Sequence, residues 1–212
     1  MSQRSDGVLL EAHKRGERGA FEELVRLHEE PLLQHARSIL GSGASYEDAV
    51  QDTFLKLAQS PPTLPEEVRG DAPLERAHLA SWLHTVTRNH CMDTMRSESR
   101  RKRREHNAAG HEASDGGIGR VEEDDTRAAV RRVLDCLPTD QREVLVLRLV
   151  NERSYKEIAE ITGKKIGTIG WLVSVGLKEL AGRLEPLLAL ESSRNTRPAA
   201  SSQLGTVRGE VG

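Results

Sequence analysis

Apolar residues recur along most of the chain at intervals of three and four, the period of a helix with one buried face. Leu9, Leu10 and Ala12 open a stripe that resumes at Phe21, Leu24, Val25 and Leu27. Pro31 is placed to open a second element, with Leu32, Leu33, Ala36, Ile39 and Leu40 at helical spacing until Gly41. A third runs from about Ser45 through Ala49, Val50, Phe54, Leu55 and Leu57 and stops at Pro61-Pro62. Residues 61–75, with four prolines and a glycine, read as a loop. A long helix is predicted from about Arg76, turning Leu79, Trp82, Leu83, Val86 and Met92 inward and running into the Arg100–Arg104 cluster.

The pattern then lapses. Residues 84–104 carry a local net charge of +5, and residues 105–125 one of −6 with no apolar period. The second stretch has the composition of a flexible linker. Helical period returns at Val130, Val133, Leu134 and Leu137, and Pro138 opens a further helix with Val144, Leu145, Leu147 and Leu149 inside. Ser154-Tyr155-Lys156-Glu157 has the form of a capping box, and Thr162-Gly163 that of a turn. The last helix should bury Ile166, Ile169, Val173, Leu177, Leu180 and Leu184. The predicted fold is therefore all-α: two small helical domains, residues 1–104 and 126–186, joined by the acidic linker 105–125 and followed by a disordered tail, 187–212.

Composition narrows the function. With 212 residues, 36% hydrophobic and only six aromatics, the chain suits small helical cores filled by aliphatic side chains. Its net charge of −2 argues against a protein that coats nucleic acid alone, since that affinity comes mostly from phosphate neutralisation. No apolar run is long enough to span a bilayer or to serve as a signal peptide. Cys91 and Cys136 stand apart, outside any CxxC, and read as reduced, buried thiols of a cytoplasmic protein. No nucleophile–base pairing, phosphate loop or metal-ligand cluster is visible, so neither enzyme activity, cofactor nor metal is expected. His78, His84 and His90 recur every six residues, a spacing that walks them around a helix.

The C-terminal unit, two helices about a glycine turn, has the helix-turn-helix arrangement in which the second helix enters the DNA major groove. Plain structural packing would give the same outline. Arg88, Arg96 and the 100–104 run could neutralise phosphates, or simply complement a helix C-terminus.

The order of segments decides more. AFEELVRLHEEPLLQHARSILG, SYEDAVQDTFLKLA, ASWLHTVTRNHCMDTMRSESRRKRR and, past the linker, LPTDQREVLVLRLVNERSYKEIAEITGKKIGTI together resemble the extracytoplasmic-function group of sigma-70 family RNA polymerase sigma factors over about residues 8–186. The resemblance implies that the chain binds core polymerase at the β′ clamp and β flap, directs it to promoters and helps melt the minus-ten element. It implies docking on the clamp through Asp48, Gln51, Asp52, Phe54 and Leu55. It assigns the minus-ten element to Trp82, Arg88, Asn89, His90 and Arg96, with Trp82 read as packing inside, and base capture to the loop 68–80. Contacts at the minus-thirty-five element would come from Arg148, Arg153, Lys164, Lys165, Thr168, Trp171, Ser174 and Lys178. An anti-sigma factor is a further implied partner.

In one segment the chain departs from the family. Where such proteins commonly carry a Lys- and Arg-rich run at the start of the recognition helix, this one has Gly167-Thr168-Ile169-Gly170-Trp171-Leu172. Few groups there can make bidentate contacts to guanine, so the upstream element is expected to be gripped more than read. The competing readings are a stand-alone helix-turn-helix regulator and a sigma-like protein that has lost promoter reading.

Overall fold

The computed structural model describes residues 4–41, 45–108 and 125–195. Eight α-helices lie among them, and no strand. Four form the first unit: α1 (Asp6–Lys14), α2 (Ala20–Leu40), α3 (Tyr46–Gln59) and α4 (Ala72–Ala108). Four form the second: α5 (Asp125–Asp135), α6 (Thr139–Leu145), α7 (Tyr155–Thr162) and α8 (Ile166–Asn195). The expected linker falls mostly outside the described residues. Its first four residues continue α4, and Asp125 begins α5.

The first core is aliphatic. Leu9, Leu10, Leu24, Leu32, Leu57, Leu79 and Leu83 are fully buried, each stabilising the fold by roughly 1.5–3 kcal/mol relative to exposure. Pro31 does not open an element: α2 runs straight through it. Leu24, His28, Leu32, His35, Ala36 and Ile39 keep one continuous buried face across the proline, and that packing outweighs the hydrogen bond the missing N–H forgoes. Likewise α4 starts four residues earlier than the apolar pattern suggests. The Asp71 side chain accepts from the Leu74 amide at 3.0 Å and caps the helix within the proline-bearing loop.

Buried polar ties fix how these helices meet. Asp6 Oδ2 lies 2.8 Å from His28 Nε2 of α2, and Asp6 Oδ1 accepts from Arg76 of α4 at 3.2 Å. Burial opposes the charge of Asp6, but the hydrogen bonds and charges of His28 and Arg76 hold its carboxyl below the ordinary value. Glu75 accepts from the amides of Gly7 (3.0 Å) and Gly70 (2.8 Å), pinning the loop before α4 to the start of α1. The Thr53 and Thr87 hydroxyls meet at 3.0 Å and join α3 to α4.

The second core gathers Leu137, Val144, Leu145, Leu147, Ile158, Ile161, Ile169, Leu172 and Val173. Both halves of the capping box form: Ser154 Oγ accepts from the Glu157 amide, and Glu157 accepts from the Ser154 amide at 2.7 Å. Gly163 takes a left-handed conformation (φ 69°) and lets α7 stop before α8 begins. Three expectations change. α6 passes into a π-helical turn, Val146–Val150, that rotates Leu149 out to solvent and Asn151 inward. Ile166 and Leu177 are exposed, and the inward face of α8 is Ile169, Leu172, Val173 and Gly176, the glycine admitting Leu145. α8 also continues through Pro186 to Asn195, so the segment expected to be a tail begins as helix, and residues 196–212 lie outside the described residues. Cys91 is buried as expected, its thiol pushed up to about 12 by burial and the charge of Glu143, whereas Cys136 is exposed.

Candidate functional site

Three surfaces carry the residues singled out from the sequence. On α3, Asp48, Gln51, Asp52 and Leu55 occupy positions i, i+3, i+4 and i+7, one face of the helix, and all four are exposed. Leu55 is 57% exposed, an apolar centre flanked by acidic and amide groups. Phe54 does not join them. It is 8% exposed and packs edge-on against Phe21, ring centroids 6.5 Å apart, bracing α3 from behind.

On α4, Trp82, Asn89 and Arg96 are spaced by seven and fall on one face of the helix. Trp82 is half-buried against the first core, Asn89 is open, and exposed Arg96 pairs with Asp93 at 2.8 Å. His90 lies 3.8 Å from Asp52, so the edge of this face adjoins the α3 surface. Arg88 is turned about 100° from Asn89, toward the second unit.

On the second unit, Lys165, Thr168, Trp171, Ser174 and Lys178 are exposed along the first half of α8 and at its entrance. Trp171 is 60% exposed, so the indole stands in solvent rather than folded against its own domain. The remaining cations are engaged. Arg153 pairs with Glu157 at 3.1 Å, Lys164 with Asp140 at 3.1 Å, and Arg148 lies over the Tyr155 ring at 5.4 Å.

The junction of the two units holds what the sequence left unmarked. Glu143 of α6 is fully buried, with Oε1 2.8 Å from Arg88 Nε and 3.3 Å from His35 Nε2. His35 Nδ1 in turn faces His84 Nδ1 at 3.1 Å. Asn151 donates to the Pro31 carbonyl at 3.0 Å, and Arg142 to the Ser38 carbonyl. Burial opposes ionisation of Glu143, but the hydrogen bond and charge of His35 and the charge of Arg88 overcome it and lower its carboxyl below the ordinary value. His84 is driven well below the usual imidazole value by burial first, then by the charges around it. Two signals pointed here: His35 interrupts the apolar face of α2 between Leu32 and Ile39, and Glu143 opens the otherwise apolar run Val144–Leu147.

Two segments of the chain match models of known families. Residues 24–101 match the family model Sigma-70 region 2, and residues 127–180 match Sigma-70, region 4. The ECF RNA polymerase sigma factor SigM of Mycobacterium tuberculosis is 31% identical over 167 residues, 79% of this chain and 78% of that protein. The ECF RNA polymerase sigma factor EcfG of Rhodopseudomonas palustris is 32% identical over 159 residues, 72% and 78% of the two chains. Among solved structures, the sigma factor RpoE in complex with the anti-sigma factor NepR from Bartonella quintana superposes with a TM-score of 0.57 at 27% identity, covering 78% of this chain and 96% of that one.

Proposed function

The chain belongs to the extracytoplasmic-function group of RNA polymerase sigma factors, and on that premise we propose how its surfaces divide the work of initiation. It directs core RNA polymerase to promoter DNA. In this reading it does so as a non-enzymatic initiation factor acting in the cytoplasm. Among the described residues, no helix is long and apolar enough to cross a membrane.

The α3 face is the polymerase contact. Leu55 gives it an apolar centre and Asp48, Gln51 and Asp52 a polar rim, the composition of an interface anchor sheltered from water. This one observation carries the reading, because a stand-alone operator-binding protein has no use for a second, acidic docking helix. Phe54 holds the helix in place and does not touch the partner. The row Trp82, Asn89 and Arg96, with His90 at its edge, faces the minus-ten element. There an exposed guanidinium holds phosphate while opened bases are captured, which needs cations and stacking surface together.

The second unit docks at the minus-thirty-five element beside the β flap. Lys165, Lys178 and the N-terminus of α8 grip phosphate, and Trp171 presses on thymine methyl groups. An anti-sigma protein, the kind of partner bound by the superposed RpoE, is proposed for this chain too.

The test is a pull-down of core polymerase with the full chain, followed by transcription from genomic fragments. Retention of polymerase and RNA starting at defined sites support the reading. Tight operator-like binding of duplex DNA by the chain alone, with no retention of polymerase, overturns it.

A further inference from the structure

Glu75, in the first turn of α4, is 4% exposed and holds three pieces of chain together. Its Oε1 accepts from the Gly70 amide at 2.8 Å and its Oε2 from the Gly7 amide at 3.0 Å, and the Ser5 side chain supplies a further hydrogen bond. Burial opposes the charge, but the bonds from Ser5, Gly70 and Gly7 hold the carboxyl below its ordinary value. Gly7 leaves the room for it, since a Cβ there would stand inside the Glu75 carboxylate. One side chain thus caps the start of α1 from outside and fixes the last turn of the loop before α4.

The place of that loop gives the contact a use. Glu75, Trp82, Asn89 and Arg96 follow one another at intervals of seven, so the row proposed to face the minus-ten element continues about 10 Å toward the start of α4 and ends at Glu75. There the Gly70 turn covers it. The loop is the end wall of the row, and α1 stands behind the wall. The rest of the loop is already stiff: Arg69 Nε donates to the Leu64 carbonyl at 2.9 Å, buried Leu64 roots the segment in the first core, and Asp71 caps α4. α1 lies ahead of the residues matched by Sigma-70 region 2, which begin at 24, so this support is an addition to the matched segment.

We propose that Glu75 is a positioning residue for promoter opening: by tying Gly70 to the start of α1 it sets the loop at residues 64–71 where an unstacked base of the minus-ten element is captured, and α1 is the buttress of that loop. Glu75 touches no DNA and acts through the Gly70 turn. Capture of a base that has left the stack depends on a wall in the right place, and a displacement of about 1 Å at an aligned site can cost on the order of 100-fold. This rests on the assignment of α4 to the minus-ten element, and the test separates the two.

The experiment uses the full chain assembled with core polymerase, on a promoter taken from the genomic fragments of the preceding test. Each minus-ten position is substituted in turn and transcripts are counted. In parallel, 2-aminopurine, which brightens when it leaves the base stack, replaces each base of one strand. The parent should show a position where substitution is costly and the probe is bright. Glu75→Gln keeps the shape but leaves one amide without an acceptor, and Gly7→Ala drives the carboxylate off α1. Both should reduce discrimination at that position about tenfold and dim the probe there, with the other minus-ten positions and polymerase retention as in the parent. Loss of folded protein lowers every template in the same ratio and does not produce this pattern; circular dichroism follows the helix content of each variant. Unchanged discrimination and fluorescence at that position in both variants, or a uniform loss over all templates, overturns the proposal. So does outright unfolding of both, which would make Glu75 a part of the fold alone. A parent with no bright, costly position overturns the assignment of α4 and the proposal with it, whereas a steep parent with unaltered variants overturns the role of Glu75 only.

Discussion

Leu55 and Phe54 are neighbours on α3 whose removal should have opposite consequences. Leu55 is 57% exposed, and complete burial of a leucine stabilises by roughly 1.5–3 kcal/mol, so covering that part with a partner is worth about 1–1.7 kcal/mol. Leu55→Ala should then weaken binding of core polymerase about 5- to 20-fold. The free chain should hardly notice, because surface substitutions of this kind stay within about 0.5 kcal/mol. Phe54 is 8% exposed and meets Phe21 edge-on. Phe54→Ala leaves a cavity costing roughly 3–5 kcal/mol, a large part of the total stability of a small domain. The assay is titration of labelled chain with core polymerase, beside thermal unfolding followed by circular dichroism. Leu55→Ala should melt with the parent and bind weakly, whereas Phe54→Ala should melt early. A Leu55→Ala variant that binds polymerase within about twofold of the parent would refute the docking face, however well the rest of the family resemblance holds.

Acidification should destabilise the chain, beginning near neutrality. His84 is depressed in the folded state from an ordinary value of 6.5, so below that pH the unfolded chain takes up a proton that the folded one refuses. Glu143 and Glu75, lowered from 4.5, and Asp6, lowered from 3.8, add their losses further down. Melting temperatures measured across this range should fall with pH, and His84→Asn should flatten the upper part; a melting temperature that rises on acidification contradicts the assignment. In α8, Gly176→Ala sets a Cβ 2.9 Å from buried Leu145 Cδ1 and should destabilise by roughly 1 kcal/mol after allowance for helix propensity. Gly182→Ala meets nothing within 4 Å and should stabilise by about 1 kcal/mol, and equal melting temperatures for the two variants would count against the packing of α8 on α6. Scanning both promoter elements in a transcription assay should show a shallower loss upstream than at the minus-ten element, because the first half of α8 exposes Thr168, Trp171, Ser174 and Lys178 and carries no arginine. An equally steep upstream loss would show that the helix reads bases by other contacts.

Helix type and order were legible because each helix has an apolar face of helical period, and the caps at Ser154 and Gly163 follow from side-chain and backbone chemistry within four residues. Departures came where packing overrules local rules. Pro31 looks like a helix start when only its own backbone is considered, yet the apolar face runs through it without a break. The π-turn at 146–150 is invisible to a fixed period of 3.6. It inserts one residue into the register, so Leu149, on the expected inward row, comes out and Asn151 goes in. The α3 face is half legible by the same logic: spacing alone puts Asp48, Gln51, Asp52 and Leu55 together and sends Phe54 to the other side.

At the junction the sequence marks His35 and Glu143 only as polar breaks in apolar patterns, and their pairing was not legible, for a physical reason. A carboxylate scores as surface in every sequence pattern, because burying it alone is prohibitive. Glu143 is tolerable inside only because Arg88 and His35, contributed by helices more than fifty residues away in the chain, arrive at the same point. No local window contains that information. Each unit keeps its own aliphatic interior on its side of that contact.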